Sequence, residues 1–199
     1  MTGLLAILVA YLIGSIPFGF LLAKFTTGQD VRTQGSGNIG ATNVLRTAGR
    51  VAGIATLALD IAKGVAAVWI AGLLTGDAPG WMADAALAVM AGHSFPIFLK
   101  FKGGKAVATF IGAFGYLMPI PLLASLVVFL ITVAATHYIS AGSVMAAAAF
   151  PIGVWLILHP SWTELIVSVI AAGFIVYRHK PNLERIRSGT ENTFRWRIS

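Results

Sequence analysis

The sequence predicts an all-α, polytopic integral membrane protein with about seven transmembrane helices, its N-terminus outside and its C-terminus in the cytoplasm. Three observations carry that expectation. Of 199 residues, 57% are hydrophobic and only 11% charged, whereas a soluble domain usually carries about 25% charged residues. The apolar residues gather into seven runs, near residues 3–23, 52–74, 81–99, 106–119, 121–136, 144–158 and 162–177. The basic residues fall almost entirely between alternate runs.

The second run is long enough for a hydrocarbon core of about 30 Å, for which roughly 20 residues are needed. The last three are shorter. Residues 1–25 lack a basic leader and continue apolar past any small-residue cleavage site, so they read as a retained first helix rather than a signal peptide. The stretch 75–80 (TGDAPG) is a turn sequence, and Pro119 and Pro121 divide the fourth run from the fifth.

With the N-terminus outside and seven crossings, Lys24, Arg32, Arg46, Arg50, Lys100, Lys102, Lys105, Arg178, Lys180, Arg185, Arg187, Arg195 and Arg197 all fall inside. These are thirteen of the fourteen basic residues; the fourteenth, Lys63, lies within the second run. The outer loops and their flanks carry Asp77, Asp84 and Glu164 instead. This asymmetry follows the positive-inside rule, and removing one crossing would strand basic loops on the wrong face. The chain is expected to be a single transmembrane domain over 1–199, with a basic cytoplasmic tail over about 178–199. Its net charge of +7 is placed for anionic lipid and phosphorylated ligands, not nucleic acid. Cysteine is absent, which rules out disulfides, thiol catalysis and Cys-ligated metal. No His–carboxylate cluster has metal-ligand spacing.

Four inner segments hold most of the unusual polar sequence. Residues 35–46 (GSGNIGATNVLR) bring glycines together with Ser36, Asn38, Thr42, Asn43 and Arg46. Gly37 and Gly40 allow close backbone approach, amide groups can cradle an anion, and Arg46 offers a bidentate fork. A formal GxGxxG match is rejected as a dinucleotide site because no strand precedes it. In residues 92–109 (GHSFPIFLKFKGGKAVAT), Gly103, Gly104 and Lys105 lead into the fourth helix. An anion there would meet a lysine and a helix N-terminus together. Lys100 and Lys102 read as lipid-headgroup contacts. Residues 136–143 (THYISAGS) open the sixth helix, where Ser143 is equally readable as an N-cap. In the tail, His179, Asn182 and Glu191 raise a specific site above simple lipid binding.

Asp60 and Lys63 lie three residues apart on one helical face. An unpaired charge at mid-bilayer costs roughly 2.5–3.5 kcal/mol on insertion scales, so they are expected to pair inside the bundle. They count, with His93, as supporting residues that act on the site indirectly. Residues 159–164 (HPSWTE) spell the His–acid pattern of soluble-type glycerolipid acyltransferases, but topology places them outside. Residues 92–96 are no nucleophile elbow, since Pro96 stands where glycine is required.

Residues 36–46, 59–64, 92–98 with 101–109, and 179–191 resemble the signature blocks of the PlsY family. The likeness runs from 14–17 (GSIP) to Glu191. His137 departs from it, standing where that family more often has a basic residue before Tyr; Ser143 fits its Tyr-x-Ser-x-Gly-Ser pattern. The resemblance implies a cofactor-free bacterial enzyme of the cytoplasmic (inner) membrane, with its active site facing the cytoplasm. It would transfer a fatty acyl group from acyl-phosphate to glycerol 3-phosphate. The products would be 1-acyl-glycerol 3-phosphate (lysophosphatidic acid) and inorganic phosphate, in the first step of phospholipid synthesis. By that carry-over Ser36, Arg46, Lys105, Ser143, His179 and Asn182 form the active-site set. Membrane phospholipid is an expected partner; contact with the enzyme supplying acyl-phosphate, the oligomeric state and the chain-length preference stay open. So does the base: either His179 takes the hydroxyl proton, or the substrate's own phosphate does while His179 holds it. The competing class is a transporter of a phosphorylated metabolite, which should line a path through the membrane with polar groups.

Overall fold

A computed structural model describes residues 1–194 and leaves Arg195 and Arg197 outside the described residues. Its ten helices are α1 (Thr2–Ser15), α2 (Phe18–Thr27), α3 (Ala41–Thr47), α4 (Arg50–Thr75), α5 (Pro79–Ser94), α6 (Val107–Leu117), α7 (Pro119–Thr136), α8 (Ile139–Leu158), α9 (Trp162–Arg178) and α10 (Lys180–Arg187), with no strand among the described residues. Two compact units divide the chain, Met1–Leu117 and Met118–Ser199. Five stretches are long and apolar enough to cross a membrane: Thr2–Thr27, Arg50–Thr75, Pro79–Leu99, Pro119–Thr136 and Ile139–Leu158. Helix α6, with 11 residues, and α9, with 17, are shorter.

Every predicted apolar run is helical, but several boundaries differ from expectation. The first run is two helices. Ile16 adopts an extended backbone (φ −64°, ψ 114°), the conformation forced on a residue preceding proline, and Pro17 has no N–H to continue the ladder. The third run stops being α-helical at Ser94; a short 3₁₀ turn over Ile97–Leu99 follows Pro96. Helix α8 starts at Ile139 instead of near 144, so Ser143 lies inside the helix and is not its N-cap; Tyr138 holds that position. The 159–164 segment is a helix start: Ser161 caps α9, and Glu164 completes a reciprocal capping box.

Within the first unit α1 packs on α4 and α5, and α4 on α6; within the second, α8 packs on α7 and α9. Lipid offers no hydrophobic drive for helix association, so small residues must let backbones approach closely. Two reciprocal glycine contacts do this. A side chain at Gly14 of α1 would enter the Val89 carbonyl of α5, and one at Gly92 of α5 would enter the Tyr11 carbonyl of α1. Likewise Gly64 of α4 faces the Thr109 carbonyl, and Gly112 of α6 faces the Ile61 carbonyl. The buried residues are mostly small, among them Ala6, Ala10, Ala67, Ala71, Ala85 and Ala86, while large apolar residues such as Leu8, Trp69, Leu130 and Ile170 face outward. A water-soluble protein shows the reverse. The chain is a multi-pass membrane protein.

Gly64→Leu should separate α4 from α6 and cost at least about 1–3 kcal/mol, the usual penalty for overpacking. Gly173, inside α9, meets nothing within 4 Å, so Gly173→Ala should be tolerated and raise stability by about 0.5–1 kcal/mol. Thermal denaturation in detergent would check both.

Candidate active site

In the first unit the glycine-rich segment forms a folded cap between α2 and α4. Val31, Ile39 and Val44 are buried in one apolar cluster with Ala23 of α2, Ala52 of α4 and Leu99 of the 3₁₀ turn. Leu99 thereby joins the lysine-bearing segment to the glycine-rich one. Asn43, 2% exposed, organises the cap from within. Its Oδ1 accepts from the Ser36 amide at 2.9 Å, and its Nδ2 donates to the carbonyls of Asn38, Gln34 and Val31 at 2.9, 3.0 and 3.2 Å. Asn38 Oδ1 accepts from the Gly40 amide at 2.7 Å. Gly35 (φ 55°) and Gly37 (φ 69°) take the left-handed conformation that disfavours a Cβ.

This bonding presents Ser36 and Gly37 at the surface, and Thr42, on α3, is half-buried. Arg46, also on α3, is exposed. Arg32 differs: its guanidinium pairs with Asp30 at 2.6 Å and lies 5.0 Å over the Phe20 ring. Asp30 and Arg32 hold each other in their charged forms through that hydrogen bond, lowering the carboxyl's pKa and raising the guanidinium's.

The second segment returns across the end of α5. The Gly103 amide donates to the Ser94 carbonyl at 3.1 Å, and the Gly104 amide to the His93 carbonyl at 3.0 Å. Both glycines are required by this return. A Cβ at Gly103 would meet the His93 carbonyl, and one at Gly104 the His93 ring at Nε2. Lys105 follows, half-buried, and Ala106 (φ 60°) turns the chain into α6. Lys100 and Lys102 are exposed.

Below these segments lies a buried polar group. Lys63 Nζ contacts Asp60 Oδ1 at 2.8 Å, His93 Nδ1 at 3.0 Å and the Ile16 carbonyl at 3.1 Å. Asp60, Lys63 and His93 are 2%, 3% and 4% exposed. The predicted pairing of Asp60 with Lys63 is present, and His93 belongs to the same group.

In the second unit the first turns of α8 meet the tail. Glu191 is the joint: its Oε1 accepts from Ser140 Oγ at 2.8 Å and Asn182 Nδ2 at 2.6 Å, and its Oε2 from Arg185 Nε at 2.7 Å. Desolvation opposes the charge on this carboxylate. The hydrogen bonds from Asn182, Ser140 and Arg185 outweigh it and hold the pKa below the ordinary value of 4.5. His179 is buried at the α9–α10 junction, with Nδ1 2.8 Å from the Ile175 carbonyl. A carbonyl can only accept, so Nδ1 carries a hydrogen. The Asn182 amide donates to the His179 carbonyl at 2.8 Å, placing the two residues on one short turn. Ser143 Oγ donates to the Ile139 carbonyl at 3.0 Å. His137 ends α7 in the left-handed conformation, and its carbonyl accepts from the Phe194 amide at 2.7 Å.

Each unit thus gathers its own share of the predicted residues: Ser36, Gly37, Asn38, Gly40, Thr42, Asn43 and Arg46 with Gly103, Gly104 and Lys105 in the first, and Ser143, His179, Asn182 and Glu191 in the second. Sequence reasoning missed Ser140 and Arg185. Ser140 sits one helical turn before Ser143 (i, i+3), a spacing that becomes informative only once α8 is known to begin at Ile139. No group of three or more His, Cys, Asp or Glu side chains suited to a metal ion occurs among the described residues.

Residues 4–189 match the family model described as "Glycerol-3-phosphate acyltransferase". The glycerol-3-phosphate acyltransferase of Desulforamulus reducens is 50% identical over 191 residues, covering 96% of this chain and 94% of the relative. The crystal structure of PlsY, an integral membrane glycerol 3-phosphate acyltransferase, in its glycerol 3-phosphate form has a TM-score of 0.91 at 35% identity, covering 98% of this chain and 96% of the other. Its lysophosphatidic acid form has a TM-score of 0.88 at 33% identity with the same coverage. Residue blocks, helical architecture and overall likeness agree, and this chain belongs to the PlsY family of glycerol-3-phosphate acyltransferases.

Proposed function

We propose that this chain transfers a fatty acyl group from acyl-phosphate to the 1-hydroxyl of glycerol 3-phosphate, giving lysophosphatidic acid and inorganic phosphate. The observation that best supports this reading is the shared cluster around Leu99, which packs the turn preceding the Gly103–Lys105 segment against the glycine-rich segment that leads into Arg46. In this reading the chain crosses seven times with its N-terminus outside. The basic loops face the cytoplasm of a bacterial inner membrane, and the whole chain, tail included, serves the reaction.

Acyl-phosphate needs no activation, because phosphate is a competent leaving group. The hydroxyl oxygen attacks the acyl carbon, a C–O ester bond forms, the acyl carbon–phosphate oxygen bond breaks, and one proton must leave the hydroxyl. Holding the two reactants in reactive geometry can supply roughly 7–11 kcal/mol of such a barrier. Arg46 and Lys105 offset the repulsion between two phosphate-bearing substrates. Ser36, Thr42, Ser143 and backbone amides orient them, and Asn182 or Lys105 donates to the developing oxyanion. Asn43 and Glu191 hold the segments that carry these groups, since their polar atoms are committed to neighbouring protein.

The base is assigned to the phosphate of glycerol 3-phosphate, with His179 Nε2 orienting the acceptor. The tautomer supports this assignment: the Nδ1 proton is given to a neutral carbonyl, whereas a histidine general base usually has its imidazolium stabilised there by a carboxylate. His179→Ala should then raise KM for glycerol 3-phosphate and leave measurable turnover. Loss of all turnover at unchanged substrate affinity would make His179 the base.

Purified protein supplied in parallel with acyl-phosphate, acyl-CoA or acyl-carrier protein, plus glycerol 3-phosphate, should release lysophosphatidic acid with acyl-phosphate alone. Uptake of glycerol 3-phosphate into liposomes without acyl transfer would favour a transporter. Arg46→Ala removes a charged hydrogen-bond donor worth about 1.5–3 kcal/mol, so kcat/KM should fall about 10- to 150-fold. Glu191 makes a pH-dependent contribution to stability. Its folded pKa is depressed, so the stabilisation is complete above the ordinary value of 4.5 and is lost as pH falls through the lower folded value. Glu191→Gln should therefore be less stable than the parent at pH 7, by about 1–3 kcal/mol. The gap should close as pH falls below about 4, as read by paired melting curves.

A further inference from the structure

The Asp60–Lys63–His93 group is more than a neutralised charge pair. A lysine ammonium donates and cannot accept; Lys63 Nζ has His93 Nδ1 at 3.0 Å and the Ile16 carbonyl at 3.1 Å as hydrogen-bond partners and is ion-paired with Asp60 Oδ1 at 2.8 Å, an oxygen 3.6 Å from His93 Nδ1. The Ile16 carbonyl is available because Pro17 interrupts the helix there. With Lys63 donating to Nδ1, the hydrogen of a neutral His93 ring sits on Nε2. That edge of the ring is the one against which Gly104 is packed, while the His93 carbonyl receives the Gly104 amide at 3.0 Å. Gly104 is bonded to Lys105. An unbroken run of contacts therefore leads from the α1–α2 break, through Lys63 and His93, to the backbone that carries Lys105.

We propose that Asp60, Lys63 and His93 are positioning residues of the acyl transfer, holding the Gly103–Gly104 backbone so that Lys105 is presented to a phosphate oxygen of the substrate. The proposal rests on the assignment of Lys105 to phosphate binding made above. Asp60 keeps the ammonium in place, Lys63 sets the orientation and tautomer of the imidazole, and His93 supports the glycine pair from beneath on both its ring and its carbonyl. Glycine at 103 and 104 is then required by His93, independently of any need for substrate to approach the backbone. None of the three side chains needs to touch substrate.

The decisive experiment is a double-mutant cycle between His93 and Gly104 in the full-length protein purified in detergent. His93→Ala, Gly104→Ala and the double variant would be compared by kcat/KM for glycerol 3-phosphate, with each rate normalised to folded, monodisperse protein. A displacement of about 1 Å can cost about a hundredfold in rate, so each single variant should lose on the order of tenfold or more. The double variant should lose no more than the worse single, because both disturb one contact. Full additivity would overturn the proposal, as would normalised rates in both singles equal to the parent's, which would leave the group a purely structural role. His93→Asn retains an acceptor near Nδ1 and should hold Lys63 without supporting Gly104; recovery of melting temperature without recovery of kcat/KM is expected, and recovery of both would count against the proposal. Lys105→Ala is run alongside. If it keeps full activity, the assignment of Lys105 fails; if it is impaired while His93→Ala and Gly104→Ala are not, only the positioning network fails.

Discussion

Lys63 carries a charge in a helix that is otherwise almost wholly apolar, and lipid can solvate neither that charge nor a broken helix. The two problems are solved together. Pro17 breaks the helix after Ile16, and the Ile16 carbonyl accepts from the Phe18 amide at 3.1 Å and from the Lys63 ammonium at 3.1 Å, which also meets Asp60 at 2.8 Å. A buried ion pair is weak evidence of stability, because desolvation consumes much of the Coulombic gain. Its service here is geometric: one atom, Lys63 Nζ, ties together α4, α5 and the α1–α2 break, and the segment carrying Lys105 is laid over the same histidine that Lys63 holds.

The rest of the first unit follows from what hydrocarbon withholds. Without a solvent-driven collapse, the helices are joined by fit, and the reciprocal pairs Gly14 with Gly92 and Gly64 with Gly112 bring backbones to a distance that larger side chains would prevent. In the second unit a different device serves the same end. Glu191 gathers Ser140, Asn182 and Arg185, so a polar tail is fastened to α8 by charge-assisted hydrogen bonds rather than by apolar area.

The helices were legible in the sequence because they rest on apolar runs, and the segments proposed for the site stand out by an unusual density of Gly, Ser, Asn and Lys. The details that were not legible depend on contacts between distant positions. The glycines at 103 and 104 could be read as room for a phosphate, whereas the space they leave is occupied by His93. Asn43 and Glu191 could be read as ligand groups, and their oxygens accept from protein donors, Asn43 from the Ser36 amide and Glu191 from Ser140, Asn182 and Arg185. Helix α8 begins earlier than the apolar run because Ser140, Gly142 and Ser143 read as loop residues on hydropathy alone, although Ser143 can satisfy its hydroxyl on the Ile139 carbonyl inside a helix. The Ser161–Glu164 capping box was visible as a spacing all along.

The brevity of α6 has a consequence for where chemistry happens in depth. Eleven residues rise only about 16 Å, roughly half a hydrocarbon core. If α6 crosses the membrane, the rest of that passage is the non-helical chain before it, where Gly104 and Ala106 are buried and the Gly103 and Gly104 amides are bonded to the end of α5, as non-helical backbone at depth requires. On the proposed seven-crossing topology, Lys105 would lie beneath the plane of the headgroups or the bilayer would dimple around α6. Such a hydrophobic mismatch would favour surrounding lipids with short or disordered tails. A donor anchored by its tail would then present its phosphate without being lifted out of the leaflet, and the water-soluble acceptor would be the partner that travels.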